Sequence, residues 1–220
     1  LTETGEVYSC GRNNNGQLGL GHREKRSSFH LIPQYSFHNE RIVQICVGSS
    51  YSMALSGKGN VYSWGNNSDG RLGLGDEQDR HSPTMIVKLK ESKNKSERIV
   101  RIATGFSGLH SMALTKSGNV YVWGCNNSYQ LALRQAQSIV DFYGFLYMVI
   151  PRQLKHKSIE NNVKNVCGGS QHTLFLTKKD HVYVCGSNNE GQLGLNNNEG
   201  DEDNNVQIPH PIDLKWFANE

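Results

Sequence analysis

His110 and His172 each stand four residues ahead of a leucine, Leu114 and Leu176, and Tyr51 holds the same place ahead of Leu55. An imidazole can carry a proton, ligate a metal, or donate and accept hydrogen bonds at once. Here neither histidine sits in a H-E-x-x-H or Cys/His arrangement with ligand spacing, and no P-loop, G-x-G-x-x-G after a strand or G-x-S-x-G is present. A polar side chain returning at one repeat position predicts a structural role, bonding the backbone of a neighbouring unit. The alternative is a partner-binding role for the same positions. The lysines form a second group with capacity for chemistry. Lys58, Lys116, Lys178 and Lys179 lie in short Gly- or Asp-containing turns, Lys88, Lys90, Lys93, Lys95 and Arg98 in one connector, and Lys155, Lys157 and Lys164 in the next. They read as a solvated rim, or as a patch for nucleic-acid phosphate or an acidic protein surface. No aromatic residues interleave with them, so such contact would be sequence-independent and salt-sensitive.

Composition narrows the classes further. The chain has 220 residues, 36% hydrophobic and 20% charged, with a net charge of +3, too small to argue for nucleic acid by itself. Its longest apolar stretch, Tyr143 to Ile150, is far short of a bilayer span, and the first residues lack the pattern of a signal peptide. Five cysteines (Cys10, Cys46, Cys125, Cys167 and Cys185) fall at scattered repeat positions, which predicts buried, reduced thiols in a nuclear or cytoplasmic protein. Asn196 to Asn205 is acidic and poor in apolar residues, and reads as a solvated loop rather than a calcium site. No metal, cofactor or catalytic residue is predicted.

The elements that position these groups are repeats. Gly5-Glu-Val-Tyr-Ser-Cys-Gly11, Gly59-Asn-Val-Tyr-Ser-Trp-Gly65, Gly118-Asn-Val-Tyr-Val-Trp-Gly124 and Asp180-His-Val-Tyr-Val-Cys-Gly186 align directly. A leucine follows each closing glycine by seven residues, at 18, 72, 131 and 193, and another precedes each valine by six, at 1, 55, 114 and 176. Constant spacing within the unit and variable spacing between units marks a structural repeat. Each unit reads as four short antiparallel strands. The first is β-branched (41–47, 98–103), the second ends on the leucine (52–55, 110–114, 172–176), and the third is the Val-Tyr segment. The fourth carries prolines (Thr84 to Leu89, Val206 to Leu214) and suits an edge. Four-stranded units repeated in register predict an all-β propeller. The expected divisions are 1–40, 41–97, 98–160 and 161–220, all within one propeller unit.

With Asn13-Asn-Asn-Gly-Gln-Leu-Gly-Leu-Gly21, Asn67-Ser-Asp-Gly-Arg-Leu-Gly-Leu-Gly75 and Asn188-Asn-Glu-Gly-Gln-Leu-Gly-Leu195 added to the Val-Tyr segments, the pattern resembles the regulator of chromosome condensation (RCC-type) repeat. The resemblance runs over nearly the whole chain, and WD-type and kelch-type patterns fit worse. It implies blades of a seven-bladed ring, of which this chain supplies about half. Because Leu1 matches Leu55, the first unit is expected to lack its inner two strands. The exposed blade edges then predict self-association. The resemblance also implies a non-catalytic interaction module, with nucleotide exchange on a Ran-type GTPase and contact with chromatin as its specific form. A recognition or scaffold propeller in a larger ubiquitin-ligase or trafficking protein is the alternative, and an undetected enzyme a distant third. Family members with exchange activity place acidic and histidine side chains in the inner turns. The matching positions are Ser49, Ser50, Tyr51, Leu109, His110, Gln171 and His172, none of them acidic. The third unit departs twice, with Tyr129 for Gly16, Gly70 and Gly191, and Ala132 for Gly19, Gly73 and Gly194. If those sites need a positive φ, Tyr129 costs about 1 kcal/mol or the turn changes. The same unit carries residues 134–150, an extra strand, a packed loop or a partner-facing insertion.

Overall fold

The computed structural model describes residues 1–90, 94–105, 107–195 and 204–212, apart from the side chain of Lys90. The alternation of β-branched and small residues in each unit folds as read, into antiparallel hairpins. Strands β1 (Tyr8–Gly11) and β2 (Arg26–Leu31) form a two-stranded sheet. β3 (Ile42–Val47), β4 (Tyr51–Ser56), β5 (Val61–Gly65) and β6 (Arg80–Met85) form the second sheet in sequential order. The third contains β7 (Ile99–Thr104), β8 (His110–Thr115), β9 (Val120–Cys125), β10 (Ile139–Val140) and β11 (Leu146–Gln153), with β10 added outside β11. The fourth comprises β12 (Val163–Gly168), β13 (His172–Thr177), β14 (Val182–Ser187) and β15 (Asn205–Pro211). Among the described residues no helix is long and apolar enough to cross a membrane.

Successive sheets pack face to face. Val7, Ile32, Phe37, Ile42, Tyr62 and Trp64 close the first junction, and a continuous core from Tyr51 through Trp123 to Phe175 and Cys185 joins the second, third and fourth sheets. Burying one such large side chain contributes about 1.5–3 kcal/mol, so these junctions stabilise the packing of sheet on sheet. On β3, Val43, Ile45 and Val47 face solvent at 44, 38 and 60%.

Several expectations shift. The fourth strand of the second sheet begins at Arg80 and ends at Met85, and Val87–Lys90 turns into one short helix, so the strand starts earlier than Thr84 to Leu89 and shares only Thr84 and Met85 with it. Pro83 is tolerated because β6 is an edge and the pairing with β5 slips between Ser63 and Gly65. The last strand starts at Asn205 and ends at Pro211, while Asp213 and Leu214 lie outside the described residues. Of the five thiols, all free, Cys125 and Cys185 are buried but Cys10 and Cys167 are exposed. Residues 134–150 form a hairpin in which the Asp141 carboxylate accepts from the Tyr143 and Phe145 amides at 2.8 and 2.9 Å. Its tip presents Phe142 at 96% and Tyr143 at 81% exposure. Most of the acidic tract, 196–203, falls outside the described residues.

The third unit keeps the loop conformation of the others in spite of its side chains. Tyr129 and Ala132 hold φ of 59° and 55°, beside 78° and 73° at Gly16 and Gly19 and 65° and 72° at Gly70 and Gly73. The same pair of backbone bonds recurs, Tyr129 N–H to Asn126 O and Ala132 N–H to Tyr129 O, each at 2.9 Å. Two demands meet at the second glycine. A Cβ on Gly73 would lie 2.7 Å from Trp123 Nε1, and one on Gly19 would lie 2.7 Å from Trp64 Nε1. Ala132 escapes that clash because Cys185 stands where the second and third sheets carry Trp64 and Trp123. Gly73→Ala should therefore destabilise by roughly 2–4 kcal/mol, combining left-handed strain with overpacking. Ala132→Gly should stabilise by up to about 1 kcal/mol by relieving strain alone. Urea unfolding of the two variants checks this, and a destabilised Ala132→Gly would refute the assignment.

Candidate partner-binding face

The conserved spacing places one main-chain carbonyl of each long loop against the next sheet. Gln17 O accepts from Ser52 Oγ and Trp64 Nε1, both at 2.9 Å. Arg71 O accepts from Trp123 Nε1 at 3.0 Å, with Ser111 Oγ 2.9 Å away. Gln130 O accepts from Thr173 Oγ1 at 2.7 Å, with Cys185 Sγ at 3.6 Å. Within each loop an asparagine fixes the turn, its Oδ1 accepting the leucine amide: Asn13 to Leu18, Asn67 to Leu72, Asn126 to Leu131 and Asn188 to Leu193, at 2.9–3.0 Å. The motif therefore builds inter-sheet junctions before it builds any surface.

Two of the aromatic candidates are absorbed into those junctions. Tyr51 is 1% exposed and donates its hydroxyl proton to His110 O at 2.7 Å, with Ser111 Oγ at 2.9 Å. Burial pushes its phenol far above the usual value. His110 is fully buried, and its Nε2 lies 2.9 Å from Thr173 Oγ1. Since Thr173 spends its proton on Gln130 O, His110 Nε2 donates and Nδ1 is left bare, with no hydrogen-bond partner. Burial, with the nearby His172 adding to it, lowers the imidazole pKa to about 4. His172 is partly exposed, its ring against Gly169, and burial lowers its pKa as well.

Ser49, Ser50 and Gln171 occupy the turns between inner and second strands, Ser49 and Gln171 exposed and Ser50 partly so. These turns are fastened side by side. Ser49 N–H donates to Gly108 O at 3.3 Å, Thr104 Oγ1 donates to Val47 O at 2.8 Å, and Gly105 bridges Gly168 in parallel. Below them Gln44 bonds Ile102 twice, through its Oε1 from the amide at 3.0 Å and its Nε2 to the carbonyl at 2.7 Å. Neither the Gln44 clamp nor the Ser111 and Thr173 hydroxyls were predicted, since a serine preceding Met-Ala-Leu carries no mark distinguishing a junction from a surface.

At the opposite ends, connectors are tied to the Gly-Asn turns. Glu40 accepts twice from Asn60 Nδ2 at 2.9 Å, and Glu97 accepts from Ser117 Oγ at 2.8 Å. The predicted basic group is partly committed there. Lys58 sits 3.5 Å from Glu40, Lys164 pairs with Asp180, and Lys178 donates to Ser117 O at 2.6 Å and Asn161 O at 3.0 Å. Lys88, Lys95, Lys155 and Lys157 are exposed, and Lys155 also lines a cleft between the third and fourth sheets. Lys93 and the Lys90 side chain lie outside the described residues.

A family model described as RCC1-like domain matches residues 1–219. The ultraviolet-B receptor UVR8 of Arabidopsis thaliana is 33% identical over 217 residues, covering 98% of this chain and 44% of the receptor. The human probable E3 ubiquitin-protein ligase HERC3 is 33% identical over 222 residues, covering 100% of this chain and 19% of the ligase. A secretion-regulating guanine nucleotide exchange factor of Bos taurus is 31% identical over 223 residues, covering 100% of this chain and 44% of the factor. Prp20p from Saccharomyces cerevisiae, studied for its binding to Gsp1p and histones, superposes with a TM-score of 0.78 at 21% identity, over 98% of this chain and 48% of that one. That likeness shows the fold, and the chain spans less than half the length of each of these proteins.

The His110 environment has a pH signature. A neutral folded imidazole and an ordinary unfolded one mean that the unfolded chain binds the extra proton. Stability from this group is then complete above about pH 6.5 and is lost as pH falls toward 4. Unfolding free energies of wild type and His110→Gln should diverge across that window, the wild type falling more steeply by up to about 1.4 kcal/mol per pH unit. Parallel profiles in urea titrations would contradict a buried neutral His110.

Proposed function

This chain belongs to the RCC1-like domain family, and on that premise we propose that it is a non-catalytic recognition module contacting a protein partner through the joined inner turns. The supporting observation is that Ser49, Ser50 and Gln171 stand on backbone locked across three sheets, while Tyr51 and His110 are occupied within. Locked backbone lowers the entropy lost on binding, which favours such turns as a contact surface. The partner-binding set then reduces to Ser49, Ser50, Gln171 and the exposed part of His172, with Tyr51 and His110 holding the turns in place. The likeness to a ubiquitin ligase far longer than this chain suits a recognition segment serving a larger protein.

Nucleotide exchange on a Ran-type GTPase is the second reading, favoured by the 31% identity to an exchange factor. Exchange needs no covalent step, only tighter binding of the nucleotide-free GTPase than of the loaded form. Against it, none of the matching turn positions carries a carboxylate. A basic-face role for Lys88, Lys90, Lys93, Lys95, Lys155 and Lys157 toward chromatin or an acidic surface would show as a steep salt dependence.

Proximity labelling in cells with wild type and with the double variant Ser49→Arg, Gln171→Arg tests the recognition reading. The variant should lose a defined set of partners while keeping the wild-type melting temperature. An unchanged set would overturn the assignment of this face. In parallel, release of fluorescent GDP from a Ran-type GTPase should proceed at its intrinsic rate with the protein present. Acceleration, lost in the double variant, would establish the exchange reading instead.

A further inference from the structure

The loops close onto the outer strand of the following sheet in two of three junctions. Gly21 N–H donates to His81 O and Gly75 N–H donates to Val149 O, both at 2.9 Å. The corresponding position in the third loop is Arg134, whose N–H turns instead to Gln137 Oε1 at 3.2 Å within its own short turn. At this level a cleft of about 730 Å³ opens between the third and fourth sheets. That size lies within the range of small-ligand sites.

The lining has one electrical sign. Arg134, Arg152 and Lys155 border the cavity, with His156 beside them, and no carboxylate does so among the described residues. None of the three cations belongs to an ion pair among the described residues. Arg152 is held from one side only, its Nη1 donating to Gln137 O at 2.7 Å, which orients the guanidinium and leaves its remaining donors free. Leu154, Ile208 and Pro209 supply an apolar wall. Two guanidinium groups beside an apolar wall match an oxyanion carried on an apolar body, since guanidinium binds phosphate and carboxylate through paired, charge-assisted hydrogen bonds.

We propose that the cleft between the third and fourth sheets binds an organic phosphate, its oxyanion held by Arg134 and Arg152 and its apolar body resting on Leu154 and Ile208. The site is separate from the turn face and stands or falls independently of it. The phosphate can arrive free or on a peptide side chain, the chemistry at the arginines being shared.

Titration of phenyl phosphate into the isotope-labelled protein, followed by amide and arginine Nε resonances, tests the assignment. Saturable shifts around residues 132–137, 152–156 and 208–209 are expected, with a dissociation constant of about 1 mM or below. Inorganic phosphate should bind about tenfold more weakly for want of the apolar contact. Arg134→Ala and Arg152→Ala should each weaken phenyl phosphate by about tenfold. Lys116→Ala should leave it unchanged, and all three exposed positions should keep the wild-type melting temperature. A phosphotyrosyl peptide binding at least as tightly as phenyl phosphate identifies a peptide as the source, and weaker binding identifies a free organic phosphate. No saturation at millimolar phenyl phosphate, or equal affinity in wild type and both arginine variants, would overturn the site.

Discussion

The structure depends on three loop carbonyls, those of Gln17, Arg71 and Gln130, whose hydrogen-bond donors all come from the next sheet. A buried carbonyl without a donor costs on the order of 1–3 kcal/mol, and no donor within its own unit takes the place of Trp64, Trp123 or Thr173. A single unit therefore supplies no donor to its own loop carbonyl. Docking of the neighbour supplies both the apolar contacts and the missing protons, which couples adjacent units as expected for a repeat array. The glycine requirement follows from the same contact, because the indole that donates to the carbonyl also occupies the space of a Cβ at residues 19 and 73.

The third unit shows what happens when one participant changes. Cys185 in place of tryptophan weakens the donor to the Gln130 carbonyl, the sulfur standing at 3.6 Å, and makes room for Ala132. The Arg134 N–H turns to Gln137 Oε1, whereas the equivalent glycines close their loops onto the outer strand. The hairpin at 139–153 and the cleft lie beside these changed positions. Among the described loops, Arg134 stands where Gly21 and Gly75 make the second closure.

Much of the fold was legible because spacing encodes it directly. The Val-Tyr segments and the leucines fix the second and third strands of each unit, and their hairpins appear in the expected order. The outer strands were placed less well at their ends, since in the second sheet the chain leaves β6 at Met85 for a short helix that no periodic signal marks. Site residues were harder still. Recurrence at the Tyr51, His110 and His172 positions suits both a junction and a contact surface, and only the burial of the first two separates these. Cys167, expected to be buried, is exposed on the inner strand β12, next to the buried Val166. The cleft was invisible in sequence, being a property of the separation between two sheets.

If exposed turns are the recognition surface, their rigidity rests on the same junctions, as Tyr51 ties the second sheet to the His110 carbonyl directly beneath the turns. The most direct measurement is hydrogen exchange of the indole protons of Trp64 and Trp123, observed by NMR in the native protein. Both donate to a loop carbonyl across a junction and are at most 2% exposed. Their exchange should require opening of the junction itself, with protection matching the best-protected strand amides and falling together with global stability in urea. Exchange of either indole as fast as an exposed amide, while the strands stay protected, would show that the junctions do not carry the fold.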